Sequence, residues 1–330
     1  MKKWIKRLAL LAVLSTLLGA GGLVWYANQA LRIEPLPKTI SVVPGTHLRS
    51  LSVMLKREGV VGNAQVFWLL GRVMAKPGTL KAGLYTLDKP LTPLELYAKI
   101  QRGEVSQAVL QFIEGKNWRE VRAVLAAQPL LKNDSATMSN AELMQAIGAE
   151  EGHPEGLLFP DTYFFAPHTS DIPVLRRAYR LQREKLMAAW DTRAPGLPYR
   201  TPYEALIMAS IVEKETGAAF ERPQIAGVFI NRIRLGMRLQ TDPTVIYGLG
   251  ERFDGNLRKI DLQTDTPYNT YTRAGLPPTP IAMPSEAAIQ AALNPAKTDA
   301  LYFVARGNGT HVFSSTLEAH NRAVNRYQRR

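Results

Sequence analysis

The first thirty residues combine a cluster of cations with a long uncharged stretch. Four cations and no acid precede Leu8, and no charged side chain occurs from there to Tyr26. As a helix, these nineteen residues would extend about 28 Å, close to the roughly 30 Å hydrocarbon core of a bilayer. The pattern predicts a transmembrane helix over 8–26, with residues 1–7 cytoplasmic because the cations precede the span. A cleaved signal peptide is the alternative, which the aromatic pair at the end of the stretch disfavours.

A short proline-containing linker at 33–38 separates this stretch from segments of alternating strand and helix character. A strand at 40–45 ends in a Pro-Gly turn, and alternation predicts a second strand at 81–87. Apolar residues spaced by three and four predict helices through Leu48, Leu51 and Leu55, then over 63–74 and 91–100.

The remainder of the chain is predicted to be mixed as well. Apolar periodicity predicts helices at 172–192, 203–216, 285–293 and 316–328, with a strand at 301–305. Several prolines between 267 and 284 exclude long regular elements there. We therefore expect an α+β fold.

Composition limits the chemistry that this fold can carry. The 330 residues are 46% hydrophobic, and 41 Lys+Arg against 28 Asp+Glu give a net charge of +13. Such a charge favours an anionic partner, and a body outside the cytoplasm argues for a cell-envelope polymer rather than nucleic acid. Cysteine is absent, no nucleotide-binding glycine motif is found, and the five histidines show no metal-ligand spacing. Neither a cofactor nor a metal is expected, and carboxylates remain as acid–base groups.

Two glutamates end the apolar helix predicted at 203–216. Glu213 and Glu215 are separated by about 200° around a helix, so only one of them can share a buried face. The apolar stripe continues to Glu215, but the helix is apolar nearly all round, so spacing alone does not choose between them. A desolvated carboxyl there would have a raised pKa and could act as a general acid. The other interpretation is a charged helix end beside Lys214 with both glutamates solvated. In either case Gly217 is expected to cap the helix in a left-handed conformation.

Residues suited to binding sugars follow this helix. They are amides and aromatic residues that can hydrogen-bond to hydroxyl and acetamide groups or stack on sugar rings: Asn231, Gln240, Tyr268, Asn269 and Tyr271. Each could equally serve a turn or a packed loop. Asp161 and Asp242 are further carboxylates, for which local duty as a turn residue and as a helix N-cap is the favoured interpretation.

These segments together resemble the YceG-like family, the endolytic murein transglycosylases of bacterial inner membranes. The resemblance covers essentially the whole chain and is carried by motifs at 43–45, 81–85, 159–163, 209–216, 228–232, 239–244, 268–271 and 275–278. It implies a small LysM-like module at 40–105, an α+β catalytic domain at 107–330, and Glu215 as the catalytic residue.

The resemblance also implies what the protein does. A member of this family cuts nascent peptidoglycan glycan strands internally, leaves 1,6-anhydro-N-acetylmuramic acid ends and lies in the inner membrane with its catalytic domain in the periplasm. Peptidoglycan is then the substrate, and peptidoglycan synthases (penicillin-binding proteins) are candidate partners. Two rival functions remain: a hydrolytic muramidase, with Asp161 or Asp242 activating water, and a non-catalytic scaffold that binds the wall.

Overall fold

A computed structural model of the chain describes residues 2–74 and 80–328. It forms two compact units, Met1–Leu110 with Phe164–Thr169, and Gln111–Tyr163 with Ser170–Arg330. Helices and short strands occur in both, which confirms the predicted α+β class. The predicted domain boundaries stay predictions.

The described residues of the first unit form helices and an antiparallel strand pair. Its elements are α1 (Lys2–Asn28), β1 (Lys38–Val42), α2 (Leu48–Arg57), α3 (Ala64–Met74), β2 (Gly83–Leu87) and α4 (Pro93–Arg102). Ile40 of β1 faces Tyr85 of β2 in the register, and both pack into an apolar cluster with residues of α2, α3 and α4. The assignment of this region as a LysM-like module stays a prediction.

The membrane prediction concerns α1. Across the described residues, no helix has both the length and the apolar character needed to cross a membrane. The structure thus does not show the span predicted at 8–26.

The second unit is mainly helical. Its helices are α5 (Trp118–Ala126), α6 (Asn140–Ile147), α7 (Ile172–Asp191), α8 (Pro202–Glu215), α9 (Arg222–Arg234), α10 (Asp242–Leu249), α11 (Lys259–Gln263), α12 (Glu286–Leu293) and α13 (Leu317–Tyr327). The strands β7 (Tyr302–Ala305) and β8 (His311–Ser314) form an antiparallel hairpin. Short strands β3 (Ala108–Gln111), β5 (Thr162–Phe165) and β6 (Thr169–Ser170) include residues of both units, and β4 is Leu131–Lys132.

Helix α8 lies at the centre of this unit. It begins after Thr201, whose hydroxyl accepts the N–H of Glu204, and it packs against α7, α9, α10 and α12. Every residue from Ala205 to Val212 is buried, which accounts for its nearly uniform apolar composition. The helix ends because Thr216 is extended (φ −145°, ψ 134°), so the left-handed cap expected at Gly217 is wrong.

Candidate active site

Glu215, the last residue of α8, lines a cavity of about 440 Å³. Its side chain is partly buried. The other polar groups on the cavity wall come from α9, the segment leading into α10, the loop after α11, the β7–β8 hairpin, and α13 with the residue after it. They are Arg232, Gln240, Asp242, Tyr271, Tyr302, His311, His320 and Gln328. Helix α8 therefore places one carboxyl in this cavity, and the other lining residues come from later in the chain.

The surroundings of Glu215 stabilise its protonated form. Burial raises the pKa of this carboxyl to about 7, and the charge of Asp242 acts in the same direction. A hydrogen bond from the Thr241 hydroxyl to Oε1 opposes the rise, as do the charges of His311 and Arg232. Near neutral pH both forms of the carboxyl are thus populated, so the same group can donate and accept a proton.

Thr241 is held in place by a second loop. Its backbone N–H donates to the hydroxyl of Thr270 (3.1 Å), and the preceding N–H, of Gln240, donates to the carbonyl of Thr270 (3.2 Å). The hydroxyls of Thr244 and Thr270 are 2.9 Å apart. Thr241 is the N-cap residue of α10, but its hydroxyl does not cap that helix because it bonds to Glu215.

Asp242 differs from its predicted role. The N-cap of α10 is the preceding residue, whose backbone is extended, so Asp242 is already helical and its carboxylate faces the cavity. There it accepts the hydroxyl of Tyr271 at 2.5 Å. Asp161, by contrast, is exposed and accepts the N–H of Thr162 at 2.7 Å, a local role of the predicted kind.

The alternative glutamate of α8 lies in a different environment. Glu213 pairs with Arg222 (3.2 Å) and accepts both the N–H (3.0 Å) and the hydroxyl (2.5 Å) of Ser285. Its carboxylate therefore joins α8 to the starts of α9 and α12, while Glu215 is the one of the two that reaches the cavity.

Arg232 links α9 to the cavity wall. This buried guanidinium donates to the carbonyls of Leu301 (2.6 Å) and Leu239 (2.8 Å) and lies 5.1 Å from the ring centre of Tyr302. The ring of His320 stacks on the ring of Tyr302, with their centres 5.2 Å apart. These contacts fix the hairpin and α13 beside Glu215.

A buried carboxylate also orients His311. Glu221 is 4% exposed; one of its oxygens accepts the backbone N–H of His311 (2.9 Å) and the other lies 2.7 Å from Nδ1. Sequence reasoning missed this pair because ninety residues separate its members and no local pattern connects them. The same holds for the contact between Thr241 and Glu215.

The structure divides the predicted sugar-binding residues. Gln240 and Tyr271 line the cavity with Glu215, whereas Tyr268 lines a second cavity. Asn269 is fully buried, and its amide donates to three backbone carbonyls. Asn231 donates to the carbonyls of residues 298 and 300. The structure thus places both asparagines in contacts that hold loops rather than on a cavity wall.

The described part of the chain contains no group of three His, Asp or Glu side chains arranged to hold a metal ion. The site as described is a single carboxyl with a raised pKa, hydrogen-bonded and flanked by aromatic and amide side chains on an α+β scaffold.

This fold and motif set define a family. Residues 40–326 match the YceG-like family, and the chain belongs to it. Similar proteins include an endolytic murein transglycosylase of Bacillus subtilis (strain 168), 32% identical over 93% of this chain and 90% of that protein. Another, from Streptococcus pneumoniae serotype 2, is 28% identical over 94% of this chain, which spans 63% of that relative.

A solved structure agrees with the assignment. The crystal structure of a yceG-like protein from Listeria monocytogenes matches with a TM-score of 0.58 at 31% identity, covering 86% of this chain and 98% of that one. The resemblance stated from the sequence motifs is therefore confirmed.

Proposed function

We propose that the chain is a lytic transglycosylase that cleaves peptidoglycan glycan strands, with Glu215 as its catalytic acid and base. The observation that carries this function is a carboxyl at the end of a buried helix, facing a cavity, with a pKa of about 7. The relatives named endolytic murein transglycosylase support the substrate class.

In the first step, protonated Glu215 donates to the glycosidic oxygen as the bond to C1 of N-acetylmuramic acid breaks. The 2-acetamido group of the same sugar stabilises the positive charge that develops at C1. The leaving N-acetylglucosamine end keeps the transferred proton as its new hydroxyl, and Glu215 becomes a carboxylate.

In the second step, that carboxylate removes the proton of the C6 hydroxyl of the same muramic residue, whose oxygen attacks C1. The product is a 1,6-anhydro ring, no water is consumed, and Glu215 is again protonated. One carboxyl with a pKa near the working pH is suited to both steps, since neither protonation state is strongly disfavoured.

Two neighbours tune this cycle. The Thr241 hydroxyl donates to the carboxylate form and keeps the pKa of Glu215 from rising further. The charge of Asp242 favours the protonated form and so prepares the acid step.

One observation favours a hydrolytic muramidase as a second candidate. Asp242 shares the cavity with Glu215, as a water-activating base would. Its carboxylate already accepts the Tyr271 hydroxyl, which favours the first proposal. Product mass separates the two reactions, because hydrolysis adds a water molecule and transglycosylation does not.

The test is Glu215→Gln in the full chain, assayed on isolated glycan strands by mass spectrometry of the products. We expect a loss of about 100-fold or more in the formation of anhydro ends, since general acid–base catalysis typically contributes that much. Glu318→Gln is the matched control because this side chain is 83% exposed. Retained anhydro product in the Glu215 variant refutes the assignment of Glu215 as the catalytic residue.

Strand binding by a wild type that cleaves nothing would establish the scaffold function instead.

The place of action forms part of the proposal. The cations before Leu8 and the uncharged stretch over 8–26 support a single-pass inner-membrane anchor with a cytoplasmic N-terminus and a periplasmic catalytic domain. Internal cleavage there would terminate nascent strands beside peptidoglycan synthases, with the 40–105 module binding glycan. A topology reporter fused to the C-terminus tests this placement, and activity of a cytoplasm-specific reporter contradicts it.

A further inference from the structure

A second cavity, of about 640 Å³, lies in the same unit. Its lining combines aromatic rings with polar side chains. The rings are those of Trp118, Tyr247, Phe253 and Tyr268, and the polar side chains are Asn117, Arg119, His153, Glu155 and Lys214. This composition is typical of ligand sites, in which apolar walls carry a small number of placed polar groups. Glu155 and Trp118 have no part in the chemistry proposed for Glu215.

The two cavities adjoin along the chain at two points. Glu215 lines the first cavity and Lys214 the second, at the end of α8. Asp242 lines the first and Pro243 the second, at the start of α10. Because consecutive Cα atoms are about 3.8 Å apart, the linings of the two cavities are neighbours at the end of α8 and again at the start of α10.

A buried carboxyl in the second cavity is hydrogen-bonded to two other residues of its lining. Glu155 is 2% exposed, and both of its oxygens accept the backbone N–H of Trp118, at 3.0 and 3.1 Å. One of them also accepts the hydroxyl of Tyr247 at 2.9 Å. Burial raises the pKa of Glu155 to about 7, so this carboxyl can accept or donate a hydrogen bond at neutral pH.

The aromatic wall is held by further contacts. The rings of Tyr247 and Tyr268 meet edge to face with centres 4.7 Å apart, and the hydroxyl of Tyr268 lies 2.9 Å from that of Thr279. The indole N–H of Trp118 donates to Asn140 at 3.2 Å. Rings fixed in this way lose little conformational freedom when a ligand arrives.

We propose that this cavity binds an N-acetylated amino sugar of the glycan strand, beyond the sugars that flank the cleaved bond. Aromatic faces match the apolar faces of pyranose rings, and the carboxyl of Glu155 and the ammonium of Lys214 suit hydroxyl and acetamide groups. The inference rests on the proposed function, and it explains a preference for internal bonds: a strand end would leave the second cavity empty.

Binding to an uncleavable form of the full chain tests this inference. The parent carries Glu215→Gln and is titrated calorimetrically with a disaccharide and a hexasaccharide of the glycan repeat. We expect the hexasaccharide to bind on the order of tenfold more tightly, and Phe253→Ala to abolish that gain while disaccharide binding stays unchanged, since truncating a contact aromatic commonly costs about this much.

Phe220→Ala is the matched control, because that ring is 76% exposed and lines neither cavity. Thermal unfolding of each variant checks that the fold is intact. A hexasaccharide gain that survives Phe253→Ala, or a parent that binds both lengths equally, overturns this inference and leaves the proposed function standing. A parent that binds neither oligosaccharide overturns both.

Discussion

The hydrogen bond from Thr241 to Glu215 makes the pH dependence of the reaction predictable. Thr241 is 2% exposed, and its hydroxyl donates to the Oε1 of Glu215. Thr241→Val removes the donor and nearly preserves the shape of the side chain. Because the bond stabilises the carboxylate more than the neutral acid, the pKa of Glu215 should rise above its present value of about 7.

The size of this rise follows from hydrogen-bond energetics. A hydrogen bond to a charged group contributes about 1.5–3 kcal/mol, and one pH unit corresponds to about 1.4 kcal/mol. The pKa should therefore increase by about 1–2 pH units. Since the proposed reaction starts from protonated Glu215, the alkaline limb of kcat/KM should move to higher pH in the variant.

The same shift changes the pH dependence of stability. A carboxyl whose pKa is raised by folding from 4.5 to about 7 stabilises the fold below the unfolded pKa. That contribution is lost as the pH rises through the folded pKa. In Thr241→Val the loss should continue to higher pH than in the wild type, as measured by urea unfolding across the pH range.

The control is Thr201→Val, the same change at the threonine that caps α8 at the end opposite Glu215, where its hydroxyl accepts the N–H of Glu204 (3.3 Å). It should lower stability without moving the alkaline limb. A limb that stays in place in Thr241→Val, or moves to lower pH, would refute the assignment of this contact.

Three further predictions concern stability, measured by urea unfolding. Glu221→Ala removes both acceptors used by His311 and should lower the free energy of unfolding by about 1–3 kcal/mol; an unchanged midpoint would show that the pair is not formed. Asn269→Ala deprives three backbone carbonyls of their donor and should cost a similar amount; a smaller effect would return this amide to the candidate sugar binders. Gly156→Ala should cost more than Gly196→Ala, because φ is similar (73° and 69°) but only the former's methyl would meet a proline carbon, at 2.3 Å; equal losses would exclude that clash.

Several elements could be predicted from the sequence because their signals are local. The expected helices at 172–192 and 203–216 agree with α7 and α8 to within one residue at each end. Long apolar patterns indicate both helices, and at the start of α8 the capping threonine adds a local signal. The strand expected at 301–305 is likewise β7, within one residue.

Other features depend on contacts between distant residues. The choice between the two glutamates of α8 follows from Ser285, seventy-two residues after Glu213, which no periodicity along α8 can indicate. Strand β8 is defined by pairing with β7. The two asparagines expected to bind sugar carry amides that loops also need, and composition alone cannot separate these uses.

The backbone conformation at Gln240 has a consequence for substitutions at this position. Its φ of 51° lies in the left-handed region, which costs a residue with a side chain about 1–2 kcal/mol and glycine almost nothing. Glycine would remove this cost, but it would also remove the long amide side chain that lines the cavity of Glu215. Backbone stability and the sugar contact proposed for Gln240 are thus opposed at one position, and a substitution that improves the first gives up the second.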